Sequence, residues 1–384
     1  NNPRSSLAEF KYTRMGALGE VMLPTSAESV TSHDGQTLPS GPLFAAPTLM
    51  KISNWDGQRR SSGLQSTVDI DGDGQTDLMW WTREAKDRRS LMPLMPVMKS
   101  NASEASEASK SWRAIPDHPL ARIQGVQQLK WGDLNNDGRV DAVVTSSIVL
   151  NSDEPKRTSK TSWYEQGTND QWTDRSFGES LPQDAAVLAL ADLDHDGDVD
   201  LLVADTTQDK TNHLRILYNR LDGTWQSVEL PLDSQNPVTN AAIIDIDRDG
   251  DLDIIASMEQ FAASRDAVFV NDRLWSWTRD NKRYGSFESH LIMDAVAYSR
   301  NEDGTPMLAA IEYSSYRDGG PAGNLAVWAF EPQGPRQTSS SYFGFANWLA
   351  VVDASGMGYQ NIMVGGTFLN RSFSFLRSPM ASII

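Results

Sequence analysis

Four stretches of the sequence place aspartates at offsets that suit a hard cation. They are DIDGDGQTDLMWW from Asp69, DLNNDGRVDAVVT from Asp133, DLDHDGDVDLLVA from Asp192 and DIDRDGDLDIIAS from Asp245. Each fits D-x-[DN]-x-D-G-x-x-D, followed by apolar residues. Calcium takes six to eight oxygen ligands in a flexible cage. Acidic or amide side chains at positions 1, 3 and 5 converge when the backbone wraps round an ion, and glycine at position 6 allows the sharp turn. Position 7 offers a carbonyl, so its side chain is free to vary, and the aspartate at position 9 closes the cage. An EF-hand would need a bidentate glutamate at position 12. That position holds Trp80, Val144, Val203 and Ala256, so the EF-hand is rejected and the loop is placed between two strands.

The elements around these loops repeat with them. Successive motifs start 64, 59 and 53 residues apart. Two weaker copies follow, SRNEDGTPMLAAI from Ser299 and DASGMGYQNIMVGG from Asp353. An apolar strand leads into each acidic loop, as at 186–191 and 241–244. A second leaves it, as at 201–204 and 254–256. A third, aromatic strand is expected at TSWYEQ from Thr161, RILYNR from Arg215, RLWSWTR from Arg273 and LAVWAFE from Leu325. A fourth is expected at WTDRSF from Trp172, WQSVEL from Trp225 and GSFESHLI from Gly285. Four antiparallel strands per ~50-residue unit is the pattern of a β-propeller blade. The expected fold is all-β, a single propeller domain over residues 1–384. Six blades follow from the motifs and seven from the length; seven is the expectation. Residues 1–64 would supply a degenerate blade and a ring-closing strand that hides two sheet edges.

These repeats resemble the FG-GAP and VCBS families, whose members form propellers with calcium in the loop between the first two strands of a blade. The resemblance covers residues 65–384. With the chemistry above it implies four ligand sets. The first is Asp69, Asp71, Asp73, Gln75 through its carbonyl, and Asp77. The second is Asp133, Asn135, Asp137, the Arg139 carbonyl and Asp141. The third is Asp192, Asp194, Asp196, the Asp198 carbonyl and Asp200, and the fourth Asp245, Asp247, Asp249, the Asp251 carbonyl and Asp253. The fifth copy offers Ser299, Asn301, Asp303 and Met307 at positions 1, 3, 5 and 9; the sixth offers Asp353, Ser355, Met357 and Asn361. Both are expected to be metal-free, with Gly304 and Gly358 keeping the turn. About four calcium ions are expected. They would take the net charge of −17 to −9 and be chiefly structural, because clustered carboxylates repel until a cation neutralises them.

That negative charge argues against nucleic acid and anionic membranes as partners. The absence of cysteine excludes disulfides and thiolate chemistry. No apolar run approaches the roughly 20 residues of a membrane span. Extracellular calcium modules bind at ~10⁻⁴–10⁻³ M, above resting cytosolic levels, and the chain begins with Asn1. A processed protein that is secreted, periplasmic or on the cell surface is expected. Of five histidines, His195 is expected to face solvent and His290 to lie in an outer strand. His118 and His213 are placed in loops, as the only acid/base candidates. Most of the twelve tryptophans are expected to pack blades. The leading functional expectation is a non-enzymatic extracellular binding or adhesion module. A glycan or protein partner would dock on a propeller face through inserts at 99–118, 151–160 and 258–272. The alternatives are a lyase or hydrolase acting on an acidic polysaccharide, and a structural subunit of a surface assembly.

Overall fold

The computed structural model describes most of residues 51–352, the strands at 361–366 and 375–377, and short strands within 10–38. The larger stretches outside the described residues are 1–9, 16–20, 32–36, 39–50, 84–88, 98–110, 150–156, 207–211, 259–266, 286–291, 315–321, 353–360, 367–374 and 378–384. The protein is all-β apart from single helical turns, and six consecutive sheets follow the six sequence repeats. Sheet 2 is the antiparallel meander Val126–Gly132, Asp141–Val149, Arg157–Gln166 and Trp172–Arg175. Sheet 3 runs Ala186–Ala191, Asp200–Thr206, Asn212–Asn219 and Trp225–Glu229. Sheet 4 runs Val238–Ile244, Asp253–Met258, Ala267–Asn271 and Trp277–Arg279. Sheet 5 runs Ile292–Arg300, Pro306–Ser314, Ala322–Glu331 and Gly334–Tyr342.

The end sheets differ. Sheet 1 is the meander Arg60–Val68, Asp77–Arg83, Arg89–Val97 and Ser111–Ala114, and Lys51–Ser53 adds to its outer edge in parallel with Ser111–Arg113. Sheet 6 has three described strands, Ala346–Val352, Asn361–Gly366 and Phe375–Arg377. The strand Arg60–Val68 straddles residue 64. Ahead of Lys51 the described residues form two small hairpins. No seventh four-stranded sheet is found among the described residues.

The sheets pack in sequence, and the sequence pattern explains how. The second strands are nearly unbroken apolar runs, as expected where both faces are covered. In sheet 3, Leu201 and Val203 enter a core shared with sheet 2, while Leu202 and Ala204 enter one shared with sheet 4. Sheet 4 repeats this, with Ile254 and Ala256 facing sheet 3 and Ile255 facing sheet 5. Alternate side chains point to opposite faces of a strand, so each second strand joins two cores. Each fully buried Leu, Ile or Val contributes about 1.5–3 kcal/mol. First strands of neighbouring sheets touch from sheet 2 through sheet 6. Sheets 1 and 2 are tied by Trp131 Nε1, which donates to Ser66 Oγ at 2.8 Å. The arrangement is propeller-like. Among the described residues no helix is long and apolar enough to cross a membrane.

Sheet 4 differs from the sequence expectation by one strand. RLWSWTR is not its third strand: that is Ala267–Asn271, and Trp277–Arg279 is the fourth. The segment GSFESHLI begins after the one-turn helix Asn281–Tyr284 and lies mostly outside the described residues. The polar insert 151–160 is also shorter than expected, because Arg157–Lys160 pair with Ser146–Val149 as strand.

Candidate metal centres

Each acidic motif joins the first and second strands of its sheet. Its aspartates begin by organising their own loop. The carboxylate of Asp69 accepts the amides of Gly72, Asp73 and Gly74 at 2.8, 3.1 and 2.8 Å. Asp133 accepts those of Asp137 and Gly138 at 3.1 and 2.7 Å. Every position-5 aspartate accepts the amide of position 7, at 2.8–3.0 Å: Asp73 from Gln75, Asp137 from Arg139, Asp196 from Asp198 and Asp249 from Asp251. Two residues per loop are left-handed. Glycine at position 6 is the expected one. Position 4 is left-handed as well, with φ of 74° at Gly72, 55° at Asn136, 60° at His195 and 70° at Arg248.

Position 9 is the anchor to the sheet. Asp77, Asp141, Asp200 and Asp253 are completely buried. One carboxylate oxygen of each accepts the amide of position 2: Ile70, Leu134, Leu193 and Ile246, at 2.7–3.1 Å. The other oxygen of Asp141, Asp200 and Asp253 accepts a third-strand amide, from Gln166, Asn219 or Asn271, at 2.8–2.9 Å. Burial first, and neighbouring loop carboxylates with it, raise their pKa values, to about 7 for Asp77, Asp200 and Asp253 and about 6 for Asp141.

Three loops bring carboxylates together. Oxygens of Asp69, Asp71 and Asp77 lie within 4.8 Å of one another, as do those of Asp192, Asp194 and Asp200, and of Asp245, Asp247 and Asp253. These are positions 1, 3 and 9; position 5 stands outside the trios. The second loop has Asn135 at position 3 and no such trio. At 4.8 Å and an effective dielectric of about 20, each pair of charges repels by roughly 3 kcal/mol. Burial first, then neighbouring Asp196 or Asp249, also raises the pKa values of Asp194 and Asp247. Asp77 Oδ1, Asp192 Oδ1 and Asp194 Oδ1 are buried without a hydrogen-bond partner. A buried carboxylate oxygen in that state is costly unless a cation faces it. The donor set is oxygen only and anionic, which suits a hard divalent ion.

Position-7 side chains, expected to be indifferent, make specific contacts. Gln75 Nε2 donates to Asp73 Oδ2 at 2.9 Å. Arg139 donates through Nε to the Gln166 carbonyl at 2.9 Å and pairs with Asp137. Asp198 and Asp251 receive side chains from the preceding loop: Asn136 Nδ2 lies 2.6 Å from Asp198 Oδ1, and His195 Nε2 lies 3.1 Å from Asp251 Oδ1. His195 is exposed, as expected, and its ring also reaches Asp251. Arg220, at the end of a third strand, reaches Asp194 and Asp196 at 3.2 and 3.1 Å.

A second tie is invisible in the sequence. Side-chain amides of the third strands reach back to position 2 of the preceding loop. Asn219 Nδ2 donates to the Leu134 carbonyl at 2.7 Å and Asn271 Nδ2 to the Leu193 carbonyl at 3.0 Å; Gln166 Nε2 does the same to Ile70. The only available signal is the polar residue that ends each apolar third strand. In the fifth loop Gly304 keeps a φ of 80° and position 9 is the buried Met307. Asn301, Asp303 and most of the sixth loop, including Asp353, Ser355, Met357 and Gly358, lie outside the described residues.

Neither acid/base candidate sits in an open loop. His118 is buried, its Nδ1 accepts the Leu120 amide at 3.2 Å to cap the turn Pro119–Arg122, and its ring meets Trp172 edge-on at 5.3 Å. His213 is in the third strand of sheet 3, with Nδ1 2.7 Å from Glu229 Oε1. His33 and His290 lie outside the described residues. Tryptophans pack blades: Trp163 and Trp225 enclose Phe177, and Trp277 Nε1 donates to the Tyr218 hydroxyl at 3.0 Å. Of the insert 258–272, Ala267–Asn271 is buried strand. A cavity of about 400 Å³ beside the fourth loop is lined by Asp247, Asp272, Asp280, Arg279, Lys282 and Arg283, among others.

No curated protein sequence matches the chain. Among solved structures, Trypanosoma rangeli sialidase in complex with sialic acid is similar at 11% identity and a TM-score of 0.45. The match covers 97% of this chain, which spans only 58% of the sialidase. The sequence profile of the FG-GAP-like repeat matches residues 192–256. That segment runs from the third acidic loop through the fourth and into the second strand of sheet 4.

Proposed function

We propose that the chain is a calcium-stabilised β-propeller and a non-enzymatic extracellular binding or adhesion module. One observation carries the calcium assignment: unpartnered, buried oxygens of Asp77, Asp192 and Asp194 sit within carboxylate trios that recur at the same strand junction. The ligands are those of positions 1, 3, 5 and 9 and the position-7 carbonyl, in all four acidic loops. The second loop substitutes the Asn135 amide oxygen for one carboxylate. Titrating chelator-treated protein with CaCl₂ in a calorimeter should reveal about four binding events. Heats no larger than dilution would overturn the assignment.

On this reading the ions and most of the docking loops stand at opposite ends of the sheets. The segments 150–156, 207–211, 259–266 and 315–321 join second to third strands. The strand ends that they join lie opposite the acidic loops, whereas the expected insert 99–118 follows the third strand of sheet 1 and starts from the acidic-loop end. Variable loops gathered at one end of a rigid scaffold are where recognition is built. The calcium ions on this reading hold the scaffold and do not touch the ligand, a glycan or protein partner. The commitment of His118 and His213 to structural contacts supports binding without turnover.

The cavity lined by Arg279, Lys282 and Arg283 favours a second reading, an enzyme acting on an acidic glycan, since cations there could neutralise a uronate. A glycan array run with calcium and with chelator, paired with an assay for unsaturated sugar products, separates the two. Binding without product supports the module, and product formation supports the enzyme. No binding and no product would leave a structural subunit of a surface assembly.

A further inference from the structure

The acidic loops touch one another in a repeating way. Position 4 of one loop reaches position 7 of the next: Asn136 to Asp198, His195 to Asp251, and Arg248 to Thr305. Position 7 of the fifth loop is Thr305, so the last link ends on a loop expected to carry no metal. The three side chains differ chemically, yet each sets a nitrogen against an oxygen across the same gap. The left-handed backbone at position 4 is common to all of them. Single left-handed residues are routine for glycine and asparagine, but they cost histidine and arginine roughly 1 kcal/mol or more. Gly72 shares this backbone without a side chain, so the conformation belongs to the loop, and what the other three loops add is a side chain that it turns onto the next loop. The acceptors are well held: Asp251 is only 3% exposed, and so is Thr305.

We propose that these contacts couple neighbouring calcium sites, with His195 positioning the fourth loop from the third. This coupling rests on the calcium reading above. In that reading the position-7 peptide supplies a carbonyl ligand. A side chain fixed at position 7 fixes the peptide that carries it. An ion in the third loop orders positions 1, 3 and 5 around it, and with them His195 at position 4. His195 then holds Asp251, so the fourth loop binds its own ion with less left to order. Asn136 does the same from the second loop to the third. The first loop lacks this link, because Gly72 has no side chain to offer. Coupling of this kind is reciprocal, so filling the fourth loop must strengthen the third by the same factor.

Hydrogen exchange read by mass spectrometry over a CaCl₂ titration of the full chain gives a separate protection midpoint for each loop. Eliminating the third site with Asp192→Ala and Asp194→Ala together should raise the fourth loop's midpoint about three- to tenfold. Eliminating the fourth with Asp245→Ala and Asp247→Ala together should raise the third's equally. In His195→Gly, which relieves the backbone strain and copies Gly72, the third and fourth midpoints should each rise and stop responding to the other's elimination. His195→Asn, which copies the residue of the second loop, should restore the coupling. The first loop should not move in any of these variants. Calcium-dependent protection in every loop, with a fourth midpoint indifferent to His195→Gly, would overturn the coupling and leave the calcium reading intact. No calcium-dependent protection in any loop would overturn both.

Discussion

At the scale of single residues, burial decides what a titratable group can do. His118 sounds in sequence like a free acid/base group, yet the structure seals its ring against Trp172 and uses Nδ1 as a helix-turn cap. Desolvation lowers its pKa to about 4, and the unfolded chain should show about 6.5. A neutral His118 therefore stabilises the fold fully above pH 6.5. As pH falls from 6.5 to 4 the unfolded state takes up a proton that the folded state refuses, and that stability drains away, by up to about 3 kcal/mol. The substitution His118→Asn keeps an acceptor for the Leu120 amide and removes the titration. Compared with the parent in calcium at each pH, it should be less stable at pH 7 by about 1–2 kcal/mol for lost packing. It should also lose less stability between pH 6.5 and 4.5. Parallel urea-melt profiles for the two proteins over that range would refute this account of His118.

At the scale of elements, the ties between sheets matter more than the loops alone suggest. Asn271 is buried in the third strand of sheet 4 and donates to the Leu193 carbonyl of the preceding loop. The substitution Asn271→Leu fits an apolar strand but leaves that carbonyl unpaired in the core. It should cost about 1–3 kcal/mol and, since the Leu193 peptide lies beside Asp192, loosen hydrogen exchange in the third loop more than in the first. A stability change below about 0.5 kcal/mol would mean water or another donor takes over.

Such ties are not legible in the sequence, because they join residues 78 and 85 positions apart with no shared motif. The loops themselves are legible, since four side chains and a glycine recur at fixed offsets within one short loop. First and second strands are legible for a related reason: they flank a recognisable loop and carry apolar runs. In sheet 4 the aromatic residues of RLWSWTR point to a third strand more strongly than the plainer run AVFVN does, and the pointer is wrong. The structure gives the physical reason. Ala267–Asn271 is buried along its whole length, so it needs no alternation, whereas Trp277–Arg279 forms a partly exposed edge. Polar Arg157–Lys160 likewise look like loop, although they pair with the last residues of a second strand, Ser146–Val149.

At the scale of the whole molecule, calcium acts above all on charge. The chain carries −17, and four acidic loops gather much of it at one end of the sheets. Two kinds of repulsion follow, and salt separates them. Between loops and across the surface, charges lie near or beyond the Debye length, roughly 10 Å at 0.1 M salt, and are screened. Within a trio the oxygens stand within 4.8 Å of one another around buried atoms, where mobile ions do not reach. Chelation should therefore lower the melting temperature by well over about 5 °C, several kcal/mol for a domain of this size. Raising NaCl from roughly 0.05 to 0.5 M in chelator should then recover only a minor part of the loss, while millimolar CaCl₂ recovers it fully. Full recovery by NaCl alone would mean that diffuse charge, and not ion-filled cages, is what the aspartates impose on the fold. A melt insensitive to chelator, in protein first shown to be calcium-loaded, would mean that the sheets' shared cores suffice to hold the fold without the ions.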